Sequence, residues 1–245
     1  MSLRLKTLRL VRSKAELQSL PEGKVMINTI NAHSYNVAQR DEAFARALQG
    51  GVLIPDGASI VWACRWLRAE SRPEERIAGL DLFEYEMQKC KVQSAKCNQA
   101  RKVMFMGSSE RVLSLIRERM GREYPELTCV TYSPPYKAQF SEADNRAIVE
   151  AINTARPDLL WIGMTAPKQE KWVHQHWDEL AIDCHVGAIG AVFDFYAGTL
   201  RRAPEWWQRH SLEWLYRLLR EPRRMWRRYL VGNAKFIGYM LKERL

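Results

Sequence analysis

The chain reads as an α/β protein, a mostly parallel sheet with helices on both faces, followed by a basic helical appendage. Short, continuously apolar runs alternate with longer segments of helical spacing, as expected of strands covered on both faces by crossover helices. Residues 201–245 contain no such run. They hold 12 Lys and Arg against 4 Asp and Glu, and so supply +8 of the formal net charge of +10. With 245 residues, 47% hydrophobic and 27% charged, the chain has room for one large domain plus an appendage, and its composition excludes general disorder.

Val25–Ile30 is a short apolar run with polar residues at its end, a buried strand opening into a loop. Asp41–Leu48 has helical spacing through Ala43, Phe44, Ala47 and Leu48, and Gly50-Gly51 stops it. Val52-Leu53-Ile54 is a second strand, broken at once by Pro55-Asp56-Gly57. Helices are predicted over Ala58–Leu67 and Leu80–Met87, with Lys89–Lys102 as a polar connection. Lys102–Gly107 is a strand, and Ser108-Ser109-Glu110 opens a helix through Val112, Leu115, Ile116 and Met120. Leu127–Tyr132 is the next strand, ended by Ser133-Pro134-Pro135. Ser141 starts a helix through Ala147, Ile148, Ala151 and Ile152. Asp158–Gly163 is a strand followed by a helix near Pro167 to Trp177, and His185–Ala191 supplies one more strand. The series is that of a Rossmann-like domain over residues 1–200, whose ligands sit beyond the carboxyl ends of the strands.

Pro204 and Pro222 divide residues 201–245 into helical pieces. In the last piece Trp226, Tyr229, Leu230, Asn233, Ile237, Met240 and Leu241 are expected on one face, with Arg224, Arg227 and Arg228 flanking or opposite and Arg223 at the border. Two uses of such a helix stay open. It can lie in the interface of an anionic membrane, or it can pack its stripe on the domain core and solvate its arginines.

Several classes are weakened. Five cysteines without a regular framework suit a reducing compartment. No segment approaches the roughly 18 apolar residues of a membrane span, and the N-terminus lacks the apolar core of a secretory signal, so a cytosol-made protein is expected. No phosphate-binding G-x-x-x-x-G-K-[ST] occurs, no G-x-G-x-x-G follows a strand, and the D-x-D clamp for a nucleotide-bound metal is missing. His174 and His176 are badly spaced for one helix face, and Cys90 and Cys97 lack a second pair at zinc-ligand spacing. No metal site is expected.

Three segments are candidates for chemistry. Thr29-Ile30-Asn31 ends a strand with hydrogen-bonding side chains where a sugar or ribose is held in such folds, although Asn31 equally suits a plain helix cap. Pro55-Asp56-Gly57 sets a carboxylate on a tight turn, placed to act as a general base, although Asp-Gly turns are common. Pro167-Lys168-Gln169-Glu170 begins a helix whose free N–H groups suit a diphosphate or a uracil edge, although an ordinary helix start has the same residues.

In this order the segments are more specific than any one of them. The chain resembles the WecG/TagA/CpsF family of glycosyltransferases. The resemblance rests on Thr29-Ile30-Asn31, Pro55-Asp56-Gly57, Arg76-Ile77-Ala78-Gly79-Leu80-Asp81, Pro167-Lys168-Gln169-Glu170 and Gly190-Ala191-Val192-Phe193-Asp194. It continues through Gly198, Arg202-Ala203-Pro204, Leu212–Leu219 and Glu221-Pro222-Arg223-Arg224, covering about Val25 to Tyr229. One departure is Thr165, two residues before the proline, where many members carry Gly.

The resemblance implies an inverting transfer of a sugar, N-acetylmannosamine or its uronic acid in well-known members, from a UDP-sugar to a polyprenyl-diphosphate-linked acceptor in cell-surface polysaccharide synthesis. The reaction would occur at the cytoplasmic membrane face without a metal or other cofactor. Asp56 then takes the place of the general base, and a carboxylate ionised at neutral pH needs no activation for that task. Thr29 and Asn31 position a sugar hydroxyl, Lys168 and Gln169 hold the nucleotide, and Asp194 belongs to the substrate-binding set. Without a metal, the charge growing on the leaving diphosphate calls for cations. Arg76 is the expected donor, joined by Arg217, Arg220, Arg223 and Arg224 if residues 201–245 fold over the site on an anionic membrane. Homo-oligomers remain open, and the donor sugar, glucose included, is not legible. Two rival classes are a nucleic-acid-binding module, suggested by pI ≈ 9.5 and four tail tryptophans, and a non-catalytic subunit of a polysaccharide assembly complex. The arginines share a helix with a continuous apolar face rather than alternating with stacking aromatics, so no nucleic-acid partner is expected.

Overall fold

The computed structural model describes residues 3–210 and 212–245, apart from the side chain of Arg224. Its strands are β1 (Val25–Ile30), β2 (Val52–Pro55), β3 (Lys102–Gly107), β4 (Thr128–Tyr132), β5 (Leu159–Gly163) and β6 (His185–Ala188). They form a parallel sheet in the order β2-β1-β6-β5-β3-β4. The helices of the Rossmann-like series are α1 (Ala32–Ala38), α2 (Glu42–Gln49), α3 (Ala58–Leu67), α4 (Gly79–Cys97), α5 (Glu110–Glu123), α6 (Glu142–Ala155), α7 (Lys168–Gln175) and α8 (Gly190–Ala197). The basic tail adds α9 (Glu205–Arg209), α10 (Glu213–Arg220), α11 (Pro222–Trp226), a π-helical turn over Arg227–Val231, and α12 (Gly232–Arg244).

Local chemistry explains most of the boundaries. Asp41, Ser109 and Ser141 each accept a backbone N–H from the first turn of α2, α5 and α6, satisfying donors that a helix start leaves orphaned. β5 is apolar throughout and β3 is apolar after Lys102, and the two pair in register from Val103 opposite Leu159 to Gly107 opposite Gly163. Gly107 is required at that end. Its φ is +115°, and a Cβ there would lie 2.5 Å from the Gly163 carbonyl oxygen.

Two expectations are corrected. Lys89–Lys102 is not a connection, because α4 runs on to Cys97. Phe83, Met87, Cys90 and Ser94 are all buried and continue one face at helical spacing, a stripe hidden by the polar residues between them. The apolar residues of the last helix do not share one face either. Met240 is buried with Phe236, whereas Trp226, Leu230, Ile237 and Leu241 are exposed. Ile237, Met240 and Leu241 all lie in α12, which packs on the core through Phe236 and Met240 and leaves Ile237 and Leu241 outside it.

The chain forms two compact units. The first comprises the described parts of Met1–Gln18 with Thr29–Ala78 and Arg201–Leu245. Its core includes Leu3, Ile30, Tyr35, Phe44, Leu53 and Ile60, and α12 adds Phe236 and Met240 to it. The second comprises Ser19–Asn28 and Gly79–Leu200, with a core built on Met104, Met106, Leu160, Ile162, Trp172 and Val186.

Candidate active site

In the first unit, three segments far apart in sequence are tied together by their backbones. The N–H of Asp56 donates to the carbonyl of Ile30 at 2.8 Å, joining the turn after β2 to the end of β1. The N–H of Ile77 donates to the carbonyl of Pro55 at 3.0 Å, bringing Arg76 beside that turn. Thr29, Asn31, Asp56 and Arg76 therefore share one locality, and Thr29 and Asp56 are both half-buried there. The turn lies against Asn31: a Cβ at Gly57 would meet the Asn31 Cβ at 3.6 Å, an ordinary contact distance.

Asn31 does the work of a cap as well. Its Oδ1 accepts from the N–H groups of His33 at 3.1 Å and Ser34 at 3.0 Å, and the Ser34 hydroxyl accepts the Asn31 N–H at 2.8 Å. This capping box spends the oxygen of Asn31 and fixes its rotamer, leaving the amide nitrogen as the group that can meet a ligand. The plainer reading of Asn31 is thus present, and it orients the side chain.

Arg76 is paired with Glu213, the first residue of α10, and the other oxygen of Glu213 accepts from Nε of Arg202 at 3.2 Å. The sequence reading placed Arg76 near the site but gave Arg202 and Glu213 no part in it. Among the tail arginines, Arg217 is half-buried on α10. Arg220 is exposed, and its Nε donates to the Tyr216 hydroxyl at 3.3 Å. Arg223 is exposed on α11, and the Arg224 side chain lies outside the described residues.

The second unit holds Lys168, Gln169 and Asp194. The Lys168 ammonium donates to the carbonyl of Lys137 at 2.5 Å and stands 3.5 Å from the centre of the Phe140 ring, and partial burial pulls its pKa below the usual lysine value. Gln169 and Glu170 are both buried, with the Gln169 Nε2 donating to Glu170 Oε1 at 3.0 Å. Gln169 Oε1 and Glu170 Oε2 have no hydrogen-bond partner among the described residues. Burial raises the Glu170 carboxyl to about 7, against the smaller opposing effect of the Gln169 amide. Gly190, opening α8, lets the chain pass close here, since a Cβ would lie 2.9 Å from Gln169 Oε1. The Asp194 Oδ1 accepts from the Thr199 hydroxyl at 3.0 Å in the turn that ends α8. Sequence reasoning did not single out Glu170, and its only signal was its place beside Gln169 in the quoted motif. The surface depression bounded by Lys102, Arg146, Asn153 and Arg156 lies at the amino ends of β3 and its neighbours, the end that does not carry ligands in parallel sheets.

Among the described residues no group of three or more His, Cys, Asp and Glu is arranged to hold a metal, and no helix is long and apolar enough to cross a membrane.

Comparison with known proteins adds the following. A sequence model of the glycosyl transferase WecG/TagA/CpsF family matches residues 4–245. An N-acetylglucosaminyldiphosphoundecaprenol N-acetyl-beta-D-mannosaminyltransferase of Bacillus subtilis (strain 168) is 30% identical over 89% of this chain and 79% of its own length. The protein of the same name from Bacillus spizizenii is 31% identical over 78% of this chain and 68% of its own. That of Staphylococcus aureus (strain MW2) is 26% identical over 87% and 76%.

Proposed function

Because the chain belongs to the WecG/TagA/CpsF glycosyl transferase family, we propose that it transfers a sugar from a UDP-sugar to a polyprenyl-diphosphate-linked acceptor in the synthesis of a cell-surface polysaccharide. N-acetylmannosamine is the first choice of donor sugar and a diphosphate-linked N-acetylglucosamine the first choice of acceptor, after the names of the relatives. The observation that carries the reading is the pair of backbone hydrogen bonds that set Asp56 and Arg76 beside the end of β1.

In this reading Asp56 accepts the proton of the acceptor hydroxyl as that oxygen bonds to the anomeric carbon. The bond from that carbon to the diphosphate oxygen breaks, its electron pair leaves with UDP, and the configuration inverts. General-base assistance of this kind is worth about 10²- to 10⁴-fold in rate. Thr29 and the amide nitrogen of Asn31 orient a sugar hydroxyl. Arg76, with Arg217, Arg220, Arg223 and Arg224 from the tail, takes the charge that grows on the leaving group, the task given to a metal in other transferases. Lys168, Gln169 and Asp194 in the second unit are assigned to the nucleotide-sugar.

The tail is proposed to rest on the cytoplasmic face of an anionic membrane. Support comes from the exposed apolar side chains of Leu219, Trp226, Leu230, Ile237 and Leu241, with the exposed Arg220, Arg223 and Arg227 in the same segment.

The test offers purified protein a panel of UDP-sugars, including UDP-N-acetylmannosamine and UDP-glucose, with a short-chain polyprenyl-diphosphate N-acetylglucosamine. Product from UDP-N-acetylmannosamine is expected. No product from any UDP-sugar would overturn the reading.

A further inference from the structure

We propose that Arg76 and Arg202 act as a paired-guanidinium site for the diphosphate of the nucleotide-sugar, with Glu213 as the positioning residue that holds the two side by side. The inference rests on the transferase reading and adds two residues to it, Arg202 as a second ligand-binding guanidinium and Glu213 as its organiser.

Each oxygen of the Glu213 carboxylate is taken by a different arginine, Oε2 by Arg76 and Oε1 by Arg202 at 3.2 Å. Two guanidinium groups brought to one carboxylate stand next to each other, an arrangement that their like charge opposes. The carboxylate cancels only one of the two charges, so the group keeps an excess of one positive charge. Each guanidinium carries five N–H donors, and the carboxylate takes one from each in these two bonds. An ion pair balances one charge against one, whereas this triad sets two guanidinium groups against one carboxylate. The side chains are 21%, 25% and 19% exposed for Arg76, Arg202 and Glu213, so a ligand can reach them while the surroundings weaken solvent screening.

Location gives the excess charge its use. Arg76 precedes Ile77, whose N–H is bound to the carbonyl of Pro55, one residue before Asp56. Arg202 is followed by the buried Ala203, whose carbonyl accepts from the Gln208 side chain at 2.6 Å, so its backbone is anchored too. A diphosphate presents oxygens on two adjacent phosphorus atoms. Paired planar forks match that chemistry better than one arginine or a lysine.

The experiment measures binding of UDP and UMP to the full chain by titration calorimetry, with Arg202→Ala, Arg202→Lys and Glu213→Gln as variants. Arg202→Ala is expected to weaken UDP about tenfold or more, the effect of one charge-assisted hydrogen-bonding group, while changing UMP much less. Arg202→Lys keeps the charge and the partner carboxylate, and still loses about threefold because the fork is gone. It carries the test if Arg202→Ala melts too early to titrate. Glu213→Gln lets the two arginines separate and lowers the preference for UDP over UMP, which a merely structural role would leave unmoved. Wild-type protein that binds UDP, with Arg202 variants of unchanged UDP affinity, overturns the paired site and leaves the transferase reading standing. Tighter UDP binding by Glu213→Gln would show the carboxylate to be a competitor of the ligand and would overturn its positioning role. Wild-type protein indifferent to UDP overturns the transferase reading itself.

Discussion

The two units assemble their candidate residues by opposite means. In the first, Thr29, Asn31, Asp56, Arg76 and Glu213 come from the ends of separate elements, and backbone hydrogen bonds and charge pairs join them across as many as 137 positions of sequence. In the second, Gln169 and Glu170 are neighbours on one helix and owe their character to burial. A site of the first kind is sensitive to whatever holds its pieces together. One of the second kind is sensitive to pH, because a buried carboxyl titrates near neutrality.

The largest expected effect tests the first unit where the chemistry is assigned. Asp56→Asn should lower transfer about 10³-fold while the protein still melts cooperatively and still binds UDP. Activity within tenfold of the wild type would remove the base from Asp56. The next effect tests what holds this unit together. Phe236 is buried in the core that contains Leu3, Tyr35 and Ile60, and its ring meets the Tyr35 ring edge-on at 5.4 Å. Phe236→Ala should cost about 3–5 kcal/mol in a denaturant titration, enough to unfold much of a marginal unit. A cost below about 1 kcal/mol would mean that α12 is dispensable to the core. Glu243 fixes the same helix from its other end, accepting the N–H groups of Leu5 at 2.9 Å and Lys6 at 3.0 Å together with the Tyr35 hydroxyl.

These contacts also show where the sequence was legible. Strands appeared as continuous apolar runs, and Ser109 and Ser141 appeared as helix starts, because both signals are written within a few residues. Asp56 was legible as a carboxylate on a turn. The union of Arg76 with Arg202 and Glu213 was not, since the quoted segments Arg202-Ala203-Pro204 and Leu212–Leu219 mark the resemblance without saying that these side chains meet. Phe236 and Ile237 illustrate the same limit. Adjacent and equally apolar, they go one to the core and one to the surface, and only the packing of α12 decides which. The burial of Glu170 escaped notice because a charged residue at a helix start is ordinarily solvated.

The second unit makes a smaller prediction, in pH. The Glu170 carboxyl is raised from its ordinary 4.5 to about 7, so between those values the folded chain binds more protons than the unfolded one, and stability falls as pH rises through that window. His185 adds to the trend. Burial pushes its ring down, but the Glu86 carboxylate at 3.0 Å and the Pro21 carbonyl at 2.7 Å together outweigh it and hold the pKa above 6.5. The stability contributed by that imidazolium is fully present below 6.5 and is lost as pH rises through the folded value. Chemical denaturation from pH 5 to 8 should therefore show declining stability. Glu170→Gln should flatten the part below pH 7, leaving the variant about 1–3 kcal/mol more stable than the wild type at pH 8. A variant with an unchanged pH slope would mean that the carboxyl is not held protonated.

The smallest effect on stability belongs to the outer face of the tail, and it separates the two uses of α12. Ile237 and Leu241 are about half exposed, at 52% and 51%, and lie one turn apart on the side of the helix that the core leaves bare. Ile237→Ser with Leu241→Ser removes apolar surface already in water, so the melting point should stay within about 0.5 kcal/mol of the wild type in stability terms. If these side chains seat the tail in a membrane interface, the same pair should reduce retention on vesicles containing anionic lipid severalfold, since each loses apolar area that the interface would have buried. Retention on vesicles equal to that of the wild type would leave the arginines as the whole of the membrane contact, and raising the salt to about 0.5 M would then release the protein. Because Phe236 and Ile237 are consecutive, the contrast between Phe236→Ala and this double variant reads core and surface from the same turn of one helix.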